Sequence, residues 1–268
     1  MASKTFIVTG ASRASIYAIV DAKYPIHGTG IGLATAKFLL SAPQSHNVVV
    51  MARSAEPLQK LKDQYPTQVE VLTGDLADFS LGQKAVDLAL KAFGRLDGLV
   101  LNHGMLGQVA NVAEADPQQW QHGFDVNFIS LVAFIKAGLP ALRESKGKIV
   151  FTSSGASVSG FKGWGLYGAT KAAMNHLALS LGEEEPEVTS VSIDPGLVDT
   201  EIQRQIREDL ATTMDRQFHS VFTTVHQAGN LLKPEQPGHV LAKLVIDAPK
   251  SLTGKYLTWD DESLEAFQ

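Results

Sequence analysis

Phe6-Ile7-Val8-Thr9-Gly10 and, further along, Gly30-Ile31-Gly32-Leu33-Ala34-Thr35-Ala36-Lys37-Phe38-Leu39-Leu40 decide the fold. An apolar β-branched run ends on a glycine turn, and a helical pattern starts from a glycine pair. The same order repeats along the chain. Val48-Val49-Val50 reads as a second strand, followed by a helix over 58–65 that Pro66 ends. A third strand over 69–72 leads to a helix over 81–93. Leu99-Val100-Leu101 is a fourth strand, after which Asp116 and Pro117 open a long helix as N-cap and first residue. Strands over 148–152 and 188–193 flank a helix over 165–181. A helix over 234–246 and a last strand near 255–258 close the chain. Strands that are apolar throughout, alternating with helices, predict a parallel sheet covered on both faces. The expectation is a single-domain α/β protein over 1–268, a Rossmann-type doubly wound parallel sheet without repeats or linkers.

Size and composition agree with that reading. A chain of 268 residues buries a large core. With 44% hydrophobic and 19% charged residues, its composition is that of a soluble enzyme. Lys and Arg number 23 against 28 Asp and Glu, so the net charge is −5, which argues against a nucleic-acid partner. The absence of cysteine excludes disulfides, thiolate catalysis and Cys-based metal sites. The first residues, MASKTFIVTG, run directly into a strand with no signal-peptide region. No stretch is read as approaching the ~20 apolar residues of a membrane span. A cytoplasmic protein without a membrane partner is expected. No acidic or histidine cluster has metal-ligand spacing, so no metal is expected.

Tyr167-Gly168-Ala169-Thr170-Lys171 places a phenol and an ammonium at i and i+4 on one helix face. The cation is expected to favour phenolate and lower the tyrosine pKa. Taken alone, the pair reads more readily as a surface contact. Ser154 ends the fifth strand thirteen residues earlier, where its hydroxyl can meet the next helix. Asn127 is a polar amide inside an apolar helix, FDVNFISLVAF, and requires a partner.

Asn127, Ser154, Tyr167 and Lys171, in this order and spacing, resemble the tetrad of the short-chain dehydrogenases/reductases. Further motifs carry the resemblance over essentially the whole chain. They are Thr9-Gly10-Ala11-Ser12-Arg13 with Gly30-Ile31-Gly32, then Asp75-Leu76, Asn102-His103-Gly104, and Pro195-Gly196 with Val198 and Thr200. The resemblance implies a reversible carbonyl reduction on a small ketone, aldehyde or alcohol. Tyr167 would be the general acid. Ser154 would bond the carbonyl oxygen, and Lys171 would hold the nicotinamide ribose and tune Tyr167. Asn127 would position a relay water, and Thr200 would contact the carboxamide. It also implies a homodimer or homotetramer formed through the two long helices. The short fungal carbonyl reductases, of the benzil and sepiapterin reductase kind, are the most similar group.

NAD enzymes usually carry an acid after the second strand for the ribose hydroxyls. Here Met51-Ala52-Arg53-Ser54 has none, and Arg53, with Arg13, could grip a 2′-phosphate. NADP(H) is therefore the expected cofactor, with an NAD-dependent alcohol dehydrogenase as an alternative. One departure stands out. Residues 14–29 interrupt the glycine turn, and removing them restores TGASRGIGLATAKFLL. The segment reads as a flap, as a block that leaves a catalytically silent protein, or as an unremoved intervening sequence. Its apolar Ile16, Ile19 and Val20 would lie near an anionic site.

Four further features complete the reading. Residues 200–233 break the strand–helix rhythm and are expected to form a substrate lid of one or two short helices. Phe161, Trp164, Phe218, Val221 and Phe222 could line an apolar pocket for an aromatic or dicarbonyl substrate, or serve as packing. His103, where the family has alanine, reads as tolerated variation. Glu183-Glu184-Glu185 reads as a solvated helix end.

Overall fold

The computed structural model describes residues 3–12, 30–211 and 213–268. Seven strands are β1 (Thr5–Thr9), β2 (Asn47–Ala52), β3 (Val69–Thr73), β4 (Gly98–Leu101), β5 (Lys148–Thr152), β6 (Thr189–Asp194) and β7 (Tyr256–Thr258). All pair in parallel in the order β3-β2-β1-β4-β5-β6-β7. Strand order reverses between β1 and β4, which leaves a crevice at the carboxyl edge where such sheets bind ligands. Strand boundaries differ from the sequence reading by a residue or so.

The period-two alternation of strand side chains divides the core into two layers. Phe6 and Val8 face one layer with Val48 and Val50. There they meet α1 (Ile31–Leu40) and α9 (Glu235–Asp247) through Leu39, Leu40, Leu241 and Leu244. Ile7, Val49 and Met51 face the other layer. Its helices are α3 (Ser80–Phe93), α5 (Ser130–Ser145) and α6 (Gly165–Glu184), which contribute Val86, Leu131, Phe134 and Met174. A short α2 (Ala55–Gln64) completes the first layer with Leu58 and Leu61. Because the central strands are covered on both faces, most read as near-continuous apolar runs, while β6 buries Ser190 and Ser192 among its apolar residues.

Asp116 caps α4 (Pro117–Phe124) as the sequence predicts, accepting from the Gln118 N–H at 2.9 Å. The helix then departs from expectation. Residues Asp125–Ile129 form one π turn before α5 continues. The turn frees the Val126 carbonyl, which accepts from Ser130 Oγ at 2.6 Å and lies 3.1 Å from His103 Nε2. Such turns commonly mark functional positions, and this one carries Asn127. The continuous helix Pro117–Ser145 is, by length and composition, long and apolar enough to cross a membrane, with a mean hydropathy of 1.4 over an 18-residue window. That corrects the expectation that no stretch approaches this length. Its apolar residues Leu131, Phe134, Ile135 and Leu142 are buried against the sheet.

Between β6 and α9 lie two helices, α7 (Glu201–Glu208) and α8 (Arg216–Gln227). Asp215 caps α8 by accepting from the N–H groups of Gln217 and Phe218. The acidic run at the end of α6 is not uniformly solvated, contrary to its sequence reading. Glu185 is buried and receives a two-pronged hydrogen bond from Arg143, 2.8 Å and 2.5 Å, which ties α6 to α5. The Arg143 guanidinium holds that carboxyl below its usual range.

Candidate active site

The crevice opens into a cavity of about 700 Å³ along the carboxyl edge. At its β1–β4 end the backbone approaches closely. Gly10 adopts φ +67°, a conformation that disfavours any side chain. A Cβ on Gly32 would lie 2.5 Å from the Gly10 carbonyl oxygen, so glycine is required there. A Cβ on Gly30 would lie 3.3 Å from the Ser12 carbonyl oxygen, so the described residues on either side of the interruption come close together. Asn102 ties this region together. Its Nδ2 donates to the carbonyls of Thr9 (3.2 Å) and Gly10 (3.3 Å), while its Oδ1 accepts from Thr152 Oγ1 (3.1 Å). Gly30 and Ile31, at the N-terminus of α1, line this end of the cavity, a position suited to an anion.

Arg53 and Ser54 after β2, and Asp75 and Leu76 after β3, line the same cavity, as do Ser12 and Gly104. Arg13 and the 14–29 segment lie outside the described residues. Pro195, Gly196, Val198 and Thr200 line the β6 side. Val198 also pairs with Leu232 in an isolated parallel bridge, bringing together the segments just after β6 and just before α9.

At the centre stand Ser154, Tyr167 and Lys171. Ser154 follows β5 and accepts from the Ala156 N–H. Tyr167 and Lys171 share the inner face of α6, 9% and 2% exposed. The Lys171 Nζ donates to the Thr152 carbonyl at 2.6 Å and lies 5.7 Å from the Tyr167 ring centre. Burial pushes the Tyr167 phenol up to about 12, against a hydrogen bond from Ser154 that pulls it down, with Asp194 pushing it up further. Burial lowers Lys171 to about 8, opposed by Asp194. The expectation that the ammonium lowers the phenol is thus corrected. The two groups share a face, yet Lys171 is bonded to a backbone carbonyl, and desolvation dominates the phenol.

Asn127 is fully buried. Its Oδ1 accepts from the Met105 N–H, and its Nδ2 donates to the Met105 carbonyl and Thr170 Oγ1. Both amide hydrogens are used, so the side chain clamps the loop after β4 onto α6. His103 is another clamp rather than tolerated variation. It is buried, with Nδ1 2.8 Å from Thr9 Oγ1 and Nε2 2.8 Å from Ser130 Oγ. Burial lowers it to about 3, so it is neutral at working pH. Sequence reasoning also passed over Thr152 and Asp194. The signal for Asp194 was present: a carboxylate at the end of β6 directly before Pro195-Gly196.

The far wall of the cavity is aromatic. Phe161 stacks on Phe218 at 4.5 Å, and Trp164 stacks on Phe222 at 5.8 Å. The Trp164 ring meets the Tyr167 ring edge-on at 5.7 Å. Val221 lines the cavity as well but is 47% exposed. The apolar wall therefore begins beside the phenol.

Known proteins share this arrangement of chain. The family model for short chain dehydrogenase matches residues 27–211. A benzil reductase, (S)-benzoin forming, of Saccharomyces cerevisiae is 38% identical over 276 residues, covering 99% of each chain. The crystal structure of a short chain dehydrogenase/reductase from the same yeast has a TM-score of 0.91 at 35% identity, over 99% of this chain and 100% of that one. A short chain dehydrogenase from Shigella flexneri, complexed with NADP, has a TM-score of 0.73 at 25% identity, over 96% and 97%.

Proposed function

This chain belongs to the short-chain dehydrogenase family, and we propose that within it the protein is an NADPH-dependent reductase of ketones or aldehydes. The observation that carries this reading is the convergence of Ser154, Tyr167 and Lys171 on one cavity whose other end is a glycine cradle. The cradle fits a dinucleotide. Gly10 and Gly32 let β1, the start of α1 and Asn102 pack closely at the cavity end, where the first turn of α1 would offer N–H donors to a pyrophosphate. Asp75 and Leu76 would flank the adenine, and Asn102, Gly104 and Lys171 the nicotinamide ribose. Thr200 with Val198 would meet the carboxamide. Arg53, exposed at the cavity edge, would bind a 2′-phosphate. The related Shigella flexneri protein was solved with NADP.

When bound, the nicotinamide supplies the hydride. The chain supplies the proton and the geometry. Tyr167, whose phenol burial pushes up to about 12, would give its proton to the carbonyl oxygen. Ser154 hydrogen-bonds the same oxygen and fixes its position. Lys171 holds the sugar, and Asn127 keeps the loop after β4 in place on α6. We take α7, α8 and the rest of 200–233 as a lid whose Phe218 and Phe222 pack an apolar substrate. Oligomerisation is expected on the outer faces of α5 and α6, where Val132 and Leu179 are 39% and 52% exposed.

Calorimetric titration with NADPH and NADH tests the cofactor. Spectrophotometric NADPH consumption with benzil, named for the yeast relative, tests the reaction. Tighter NADPH binding with turnover supports the reading. Failure to bind either nucleotide would leave a catalytically silent member of the family.

A further inference from the structure

Tyr167, Lys171 and Asn175 stand on successive turns of α6, spaced i, i+4 and i+8. Tyr167 and Lys171 line the cavity. Asn175 meets the chain leaving β5 instead, and none of the roles above uses it. Its Oδ1 accepts from Ser153 Oγ at 2.7 Å, and its Nδ2 donates to Ser157 Oγ at 2.8 Å. The Ser157 hydroxyl in turn donates to the Ser154 carbonyl at 2.6 Å. The bonds run in one direction, from Ser153 to Asn175 to Ser157 to Ser154, and every donor in the chain has its acceptor. Ser153 is buried, so its hydroxyl depends on Asn175 rather than on solvent.

The same turn meets α6 at a second point. A Cβ on Gly168 would lie 2.7 Å from the Ala156 carbonyl oxygen, so glycine lets the helix seat directly on the 3-10 turn Gly155–Ser157. That contact sets how closely the turn approaches but has no directionality. The Asn175 amide is directional, and it reaches both flanks of Ser154. Ser154 Oγ accepts from the Ala156 N–H at 3.2 Å, which leaves its own hydrogen free to donate into the cavity.

Building on the reductase reading, we propose that Asn175 is a positioning residue for Ser154. Ser154 comes from a turn and Tyr167 from a helix, yet both must address one carbonyl oxygen. By bonding Ser153 and Ser157, Asn175 fixes the Ser154 turn on the same helix that carries Tyr167. The Ser154 hydroxyl then donates a hydrogen bond to the oxygen that Tyr167 protonates. Asn175 touches no substrate. Its contribution is to hold a donor where charge develops, and that contribution depends on accurate placement.

The test is a pair of double-mutant cycles, Asn175→Ala and Ser157→Ala each combined with Ser154→Ala, with every variant shown to be folded by thermal melting. Calorimetry gives NADPH affinity, and NADPH consumption with benzil gives kcat and KM. Asn175→Ala should lower kcat by about tenfold or more, since a displacement of about 1 Å can cost on the order of a hundredfold. NADPH affinity should hold. In the Ser154→Ala background the same change should cost nothing further, because the group it positions is gone. Ser157→Ala cuts the chain one bond later and should follow the same pattern; it judges the proposal by itself if Asn175→Ala does not fold. An unchanged kcat, an equal loss with and without Ser154, or a loss of NADPH affinity in step with kcat overturns the proposal. If the wild type reduces no carbonyl, the reductase reading fails, and crystal structures of the wild type and the folded variant still judge the clamp. Movement of the Ser154 hydroxyl relative to Tyr167 supports it, and an unmoved hydroxyl overturns it.

Discussion

Lys171 shows how burial sets a working range. Its ammonium is lowered to about 8 by desolvation, so the cation is complete below that pH and is lost above it. If the cation holds the ribose, kcat/KM for reduction should be level near neutrality and fall as pH rises through about 8. A pH–rate profile on the free enzyme reads this directly, and a level profile well into the alkaline range would remove Lys171 from that role. Arg53 is the second residue to test. Replacing it with Asp places a like charge against a 2′-phosphate, and NADPH affinity should fall by about tenfold or more, because charge-assisted bonds contribute about 1.5–3 kcal/mol. NADH affinity should hold. Equal affinities for NADPH before and after the change, measured by calorimetry, would point to the NAD-dependent alternative.

The π turn between α4 and α5 depends on a residue outside it. His103 links β1, through Thr9, to the π turn, through the Val126 carbonyl, and to the start of α5, through Ser130. Exchanging it for Leu removes the imidazole's bonds to both hydroxyls, which keep their bonds to the Val100 and Val126 carbonyls, so the loss is about 1 kcal/mol per bond. The melting temperature should drop by several degrees, since about 1 kcal/mol corresponds to ~2–4 °C at this size class. The KM for NADPH should rise with it, because Asn102 and Gly10 hang from the same Thr9. An unchanged melting curve would show that the imidazole bonds are replaceable. The sequence showed a helix here and the polar Asn127 within it. The change of helical pitch was not legible, because a contact made there, from His103 to the Val126 carbonyl, comes from a segment distant in sequence.

For the whole molecule, the two ends of the interrupting segment are decisive. Ser12 and Gly30 are neighbours in space although seventeen residues separate them in sequence. Loop-closure entropy changes slowly with length, each doubling costing about 0.6 kcal/mol. Deleting residues 14–29 should therefore leave the fold and its melting temperature intact or slightly improved. Calorimetry on both forms then separates the readings. Equal NADPH affinity makes the segment a tolerated flap. Binding only in the shortened form makes it a block. Loss of folding in the shortened form would show that the segment is structural.

The sequence by itself determined the parallel sheet, its helical layers and the chain positions of the glycine cradle. It also brought Tyr167 and Lys171 onto one helix face. These are properties of local periodicity and of spacing along one element. Only the tertiary structure decided the environment of those groups. Burial sets the phenol high and the ammonium low. Asp194 meets Tyr256 from another strand, and Glu185, apparently solvated in sequence, is buried under Arg143. Desolvation and Coulomb interactions depend on distance in space, and the residues that supply them here are tens of positions apart along the chain.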